Sequence, residues 1–201
     1  MKNFLKLGTI ALLAGILPGI LAGILAGAAG PGTAAAQTQQ RADVNRVDAK
    51  QDWSIFQAGA EGQSVCWIVS RPTRSAAFRN GRSVEVQRGE IFLMVSIRPA
   101  DSVENEVSFI SGYPYKVDSK VTVKVGTKEF ELYNTAADPD KSKREYAWAP
   151  SAEDDAALVD AFRRGAKAKI VGFSRRGTRT VDTFSLSGFT AALEVAINLC
   201  K

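Results

Sequence analysis

Apolar residues follow three patterns along this chain. From Leu7 to about Ala29 they form a nearly unbroken run; through most of the remainder they come in short, often alternating groups; in two stretches they recur at helical spacing. The alternating groups predict strands. Val65-Cys66-Trp67-Ile68-Val69 reads as a buried strand ended by Arg71-Pro72, with Trp67 in the core. Trp53-Ser54-Ile55-Phe56 begins the fold, Val84 and Val86 alternate after an Asn80-Gly81 turn, and Ile91 to Ile97 and Glu106 to Ile110 are further strands.

Two hairpins can be read to the residue. Val121, Val123 and Val125 alternate with Thr122 and Lys124 before Gly126-Thr127, which fits a two-residue loop. That register sets Val121 opposite Leu132, Val123 opposite Phe130 and Lys124 opposite Glu129, so one face is apolar and the other charge-paired. The second hairpin runs from Lys169 to Ser174 and returns over Thr178–Phe184. A left-handed Gly177 in its three-residue loop places Val171 opposite Val181.

The helical spacings lie between and after these hairpins. Ser151 is an N-cap candidate with Asp154 three residues on, Leu158, Val159 and Phe162 form a stripe, and Gly165 ends the helix. Tyr146-Ala147-Trp148-Ala149 leads into it. A last short helix opens at Ser187-Gly188 and turns Phe189, Leu193, Ala196, Ile197 and Cys200 to one side. Many short strands with only two short helices argue for a mainly β domain, a sandwich or an open barrel.

The first apolar run changes how the rest is read. Lys2 and Lys6 precede it, and Ala34-Ala35-Ala36 close it before Gln37, so residues 1–36 have the pattern of an export signal. An uncleaved anchor is the competing reading, since roughly 20 apolar residues span a bilayer. Pro18 and six glycines between positions 8 and 30 weaken such a helix. Residues 37–51 are polar without clear periodicity and read as a flexible lead-in to a domain over 52–201. The domain is therefore expected outside the cytoplasm. No later run is long enough to span a membrane.

Removing 36 of 201 residues leaves 165, enough for one domain with a core. Those residues hold 24 cations against 21 acids, a net +3. Cys66 and Cys200 are the two cysteines, and in an oxidising compartment they are expected to form a bridge; two buried free thiols are the alternative. Histidine is absent, which removes Ser-His-Asp and Cys-His nucleophile systems and most zinc sites. No cofactor is expected.

Seven cations and no acid lie between Ala161 and Thr180: Arg163, Arg164, Lys167, Lys169, Arg175, Arg176 and Arg179. Arginine forks suit phosphate and carboxylate oxygens, so this stretch is a candidate surface for a lipid head group, an acidic glycan or an envelope protein. A solvated edge that blocks sheet-to-sheet association is the plainer reading, and helix cations could pair with Glu153 to Asp155. Nucleic acid is not expected of an exported chain without a stacking-plus-basic pattern. Trp148, beside Tyr146 and before Pro150, is the candidate surface aromatic.

Other constellations are weaker. Asp138, Asp140 and Glu145 lack the spacing of a calcium loop, Ser142-Lys143 sits in a charged loop, and Glu104 and Glu106 read as a wet strand face. An envelope enzyme using paired carboxylates on glycan or cell-wall substrates is the alternative function.

Several stretches carry a family resemblance: Phe109-Ile110-Ser111-Gly112-Tyr113-Pro114, Phe130-Glu131-Leu132-Tyr133, Ala147-Trp148-Ala149, Ala161-Phe162-Arg163-Arg164-Gly165, Val171 through Thr178, and Asp182 through Phe189. In order and spacing they resemble the invasion associated locus B family of bacterial envelope proteins, over roughly Trp53 to Cys200. The resemblance implies an immunoglobulin-like β-sandwich exported to the periplasm or outer membrane, or secreted, and brings no catalytic residues with it. Members often carry a further Cys soon after the first Trp, whereas Trp53 here is followed by Ser54-Ile55-Phe56, so the family's disulfide pattern does not transfer.

Overall fold

A computed structural model describes residues 44–59 and 63–201. The export signal over 1–36 and the start of the lead-in lie outside the described residues. Twelve antiparallel strands and two helices follow one another: β1 Asn45–Lys50, β2 Trp53–Ala58, β3 Val65–Ser70, β4 Arg74–Arg79, β5 Arg82–Ser83, β6 Phe92–Arg98, β7 Val103–Ile110, β8 Val121–Val125, β9 Lys128–Asn134, β10 Tyr146–Trp148, α1 Ala152–Arg164, β11 Lys167–Phe173, β12 Arg179–Ser185 and α2 Phe189–Leu199. The strands hydrogen-bond in the order β1-β2-β3-β6-β7-β10-β9-β8-β11-β12-β4-β5.

The mainly β architecture with two short helices is the one the sequence implies. Its two layers are halves of a single hydrogen-bonded sheet, joined where β9 pairs with β10 on one side and β8 on the other. Each half turns alternate residues inward. Ile55, Ile68, Val95, Val107 and Phe109 come from one, and Val121, Val123, Ile170 and Phe184 from the other. Phe109 and Phe184 meet edge to face at 6.0 Å, and the Trp53 indole N–H donates to the Ser185 carbonyl at 3.1 Å. Phe189 of α2 contacts Trp53 at 5.0 Å and Phe162 of α1 at 5.4 Å, so the two helices cover the remaining core together.

Both hairpins take the register read from the sequence: Val121 faces Leu132, Val123 faces Phe130, Lys124 faces Glu129 and Val171 faces Val181. Gly177 is left-handed at φ +75°, as its loop requires. Ser151 caps α1, its hydroxyl accepting from the Asp154 N–H at 3.2 Å. Cys66 and Cys200 are disulfide-bonded, tying β3 to the end of α2 across 134 residues.

Four local readings change. Part of the expected flexible lead-in, Asn45–Lys50, is a strand paired with β2. It is exposed on both faces, so no apolar alternation betrays it. Only Arg82–Ser83 pair after the Asn80-Gly81 turn, and Val86 is exposed. Tyr146–Trp148 is strand β10 and not merely a run into α1. Gly165 does end α1, but in an extended conformation; a side chain there would overlap Val125 and Leu186, so close packing accounts for its small size.

Candidate anion-binding surface

The seven cations of the basic stretch do not form one patch. Arg163 and Arg164 lie in the last turn of α1, where Arg163 approaches Glu194 at 3.8 Å and Arg164 pairs with Asp160. Their partners are therefore not the acids at the helix start. Lys167 and Lys169 belong to β11 and Arg179 to β12, while Arg175 and Arg176 occupy the turn between those strands. Among the described residues, no carboxylate pairs with Lys167, Lys169, Arg175, Arg176 or Arg179.

Strand register gathers the β cations with others that the linear sequence keeps apart. Lys124 of β8 is directly opposite Lys169 of β11; Lys169 is opposite Thr183 of β12; Thr183 is opposite Arg74 of β4. Residues directly opposite project from the same face, so Lys124, Lys169 and Arg74 form a row across four strands. Arg179 adds a second layer, its guanidinium stacked 4.7 Å from the centre of the Phe78 ring. These side chains border an open groove of about 590 Å³ floored by Ala76, Val171 and Val181. Among the described residues, Glu129 is the one acid lining it, and it engages Lys124 at 2.7 Å. Lys124 and Lys169 are directly opposed like charges, which cost stability; Glu129 offsets Lys124 alone and leaves Lys169 and Arg74 without a carboxylate among the described residues.

A second cleft, of about 510 Å³, lies beside the β11–β12 turn. Its framework is a buried ion pair. Both Nη atoms of Arg88 donate to the Asp182 carboxylate at 2.7 Å, and Nε and Nη2 also donate to the Ser111 carbonyl at 3.0 and 2.6 Å. The side chains are only 8% and 1% exposed. Removing one partner of such a pair strands a buried charge, so the pair pins the β5–β6 connection against β12. Arg88 also stacks 5.0 Å from the centre of the Tyr113 ring. The Tyr113 hydroxyl shares a 2.6 Å hydrogen bond with Thr180, and burial pushes its pKa up to about 12. Gly112, left-handed at φ +70°, lets the chain pass so close to Gly89 that any side chain would overlap its carbonyl.

The outer face of the other half-sheet is aromatic. Phe56 stacks on Trp67 at 5.6 Å, and Trp148 stacks on Tyr146 at 5.2 Å and on Tyr133 at 6.0 Å. Phe92, Ile110 and Tyr146 share a cross-strand row, as do Val69 and Met94. Trp148 is thus half-buried within an aromatic cluster on that face. Trp67, read as core, also faces outward, because Cys66, Ile68 and Ser70 take the inward positions of β3. A continuous apolar run conceals such alternation.

Three carboxylates have structural roles. Arg98 grips Glu106 with two bonds of 2.9 and 3.0 Å. Asp155 accepts the Val107 N–H at 2.7 Å, stitching α1 to β7, and burial raises its pKa to about 6. Asp140 caps the short turn at Lys141–Lys143 by accepting from the Ser142 N–H at 3.0 Å. Among the described residues, no group of three or more His, Cys, Asp or Glu is placed to hold a metal, and no helix is long and apolar enough to cross a membrane.

The strand order, the two covering helices and the stapled C-terminal helix define a disulfide-bonded, mainly β domain with outward-facing basic and aromatic surfaces. The chain belongs to the invasion associated locus B protein family, whose model matches residues 53–196. It is similar in fold to the crystal structure of invasion associated protein B from Bartonella henselae, with a TM-score of 0.51 and 19% identity over 76% of this chain and 96% of that one. No curated protein is similar to it in sequence.

Proposed function

We propose that this protein is an exported envelope domain that works by binding, not catalysis, and that its basic sheet face receives an anionic envelope partner. One observation carries this reading: the row of Lys124, Lys169 and Arg74, with Arg179 beside it, around a groove with a single acid. Sheet faces of this size tolerate scattered charges of both signs. Glu129 offsets Lys124, but among the described residues no carboxylate pairs with Lys169, Arg74 or Arg179, so the groove keeps a surplus of positive charge that an anionic partner would offset. Family membership and the signal-like N-terminus support an envelope location. The absence of histidine, and the engagement of Glu106 and Asp155 by Arg98 and the Val107 N–H, weigh against the carboxylate-enzyme alternative.

Co-sedimentation of the purified protein with vesicles containing phosphatidylglycerol tests the reading. Binding is expected at low salt, to fall steeply as salt rises, and to weaken at least several-fold in the Arg74→Ala/Lys169→Ala double variant. Binding that ignores salt or the double variant rules out the basic face.

A further inference from the structure

We propose that the cleft beside the β11–β12 turn is a discrete site for a phosphate monoester, formed by Arg79, Arg175 and Arg176 over the fixed Arg88. This deepens the anionic-partner reading and rests on it, but names a different place and a narrower ligand.

Segments far apart in sequence build the cleft: the end of β4 brings Arg79, the β5–β6 connection Arg88, the β7–β8 connection Tyr113, and the turn Arg175 and Arg176. The distinguishing feature is how Arg79 is held. Its Nε and Nη2 both donate to the Thr178 hydroxyl, at 3.2 and 2.8 Å, and Thr178 is buried. A neutral oxygen thus orients the guanidinium without cancelling its charge. Among the described residues, Nη1 and the outer hydrogen of Nη2 have no acceptor and can donate to a ligand. Arg88 shows the contrasting arrangement, locked and neutralised by Asp182.

The turn is equally well fixed. The Arg175 N–H donates to the Pro114 carbonyl at 2.9 Å, the Ser174 N–H to the Thr178 carbonyl at 2.9 Å, and the Gly177 N–H to the Ser174 carbonyl at 2.8 Å. The two arginine side chains leave this anchored backbone exposed, without a carboxylate partner among the described residues. Four arginines stand against the buried Asp182 and one acid in the lining, Glu85, which leaves a net charge of +2. A phosphate monoester carries roughly −1.5 to −2 charge at neutral pH and presents three acceptor oxygens. It therefore matches the net charge, and its three oxygens equal in number the three lining arginines that have no carboxylate partner among the described residues; a carboxylate or a phosphodiester offers half the charge. The cleft's volume, about 510 Å³, suits a phosphorylated head group or sugar, not a polymer.

The test compares vesicles matched in surface charge, one set bearing phosphatidic acid (a monoester) and the other phosphatidylglycerol (a diester). The full chain should bind the monoester set about tenfold more tightly, the scale expected of one added charge-assisted hydrogen bond. Arg79→Gln and Arg175→Ala/Arg176→Ala should each erase that preference while leaving phosphatidylglycerol binding within about twofold. The turn variant changes only exposed side chains, so an unaltered melting curve verifies its fold. Inorganic phosphate that competes at millimolar concentration identifies a free monoester as sufficient; competition only by phosphatidic acid identifies the membrane-borne head group. Equal binding of the two vesicle sets overturns the cleft while sparing the basic face. Loss of binding to both sets in the unmodified protein overturns the basic face as well.

Discussion

Asp155 shows how a single carboxyl can set a pH response. It sits in the first turn of α1, where the helix dipole favours an ionised acid, yet burial outweighs this and raises its pKa from 3.8 to about 6. The folded state thus holds that proton more tightly than the unfolded chain does. Below about pH 4 both states are protonated and ionisation costs nothing; as pH rises through 6, the folded state must ionise a half-buried group and loses stability. The protein should therefore melt at a higher temperature at pH 5 than at pH 7.5. Asp155→Asn, which keeps an acceptor for the Val107 N–H, should flatten that difference and raise the melting temperature at pH 7.5. An unchanged pH profile in the variant would assign the effect to other groups. Nothing in the sequence foretold this shift, because it depends on β7 lying against the start of α1.

Register organises function at the level of elements, and here the sequence was informative in part. The β8–β9 and β11–β12 hairpins were legible to the residue, since strict alternation and a single turn glycine leave one register that buries a face. The basic stretch was legible as composition but not as geometry. It splits among α1, the β11–β12 turn and the outer sheet face, and the cations that join the two proposed sites from other strands, Arg74, Arg79 and Lys124, lie elsewhere in sequence. Only the non-local pairings of β4 with β12 and β8 with β11 bring them in. Strand β1 escaped notice for the opposite reason, having no buried face to pattern. The like-charge contact between Lys124 and Lys169 makes a quantitative test. Lys169→Thr should stabilise the fold by about 0.2–1 kcal/mol in urea unfolding, by removing the repulsion and supplying a good strand former. It should at the same time weaken binding to phosphatidylglycerol vesicles. Destabilisation would show that the row is structural.

For the molecule as a whole, one covalent link stands out. The Cys66–Cys200 bond closes a loop of 134 residues, and constraining an unfolded chain over such a span contributes on the order of 4–5 kcal/mol. Replacing both cysteines by Ser should lower the unfolding free energy by about that amount, read from the urea midpoint with the slope checked for a change in the denatured state. A loss below about 1 kcal/mol would mean that packing of α2 against β2 and β3 holds the layers without help. The aromatic face, by contrast, was hidden in a run that reads as core, because both sides of β3 carry apolar side chains.

Every strand from β4 to β12, and both helices, lie between the two sulfurs. Cys200 reaches Cys66 only when α2 has settled beside β3, and α2 in turn rests on Trp53 and Phe162. Oxidation therefore serves as a timestamp. A thiol-alkylating mass tag, added at intervals during refolding in a glutathione buffer whose oxidised form accepts the two electrons, would report the moment the last helix seats, and any chain still taking up the tag would be one whose layers have yet to come together.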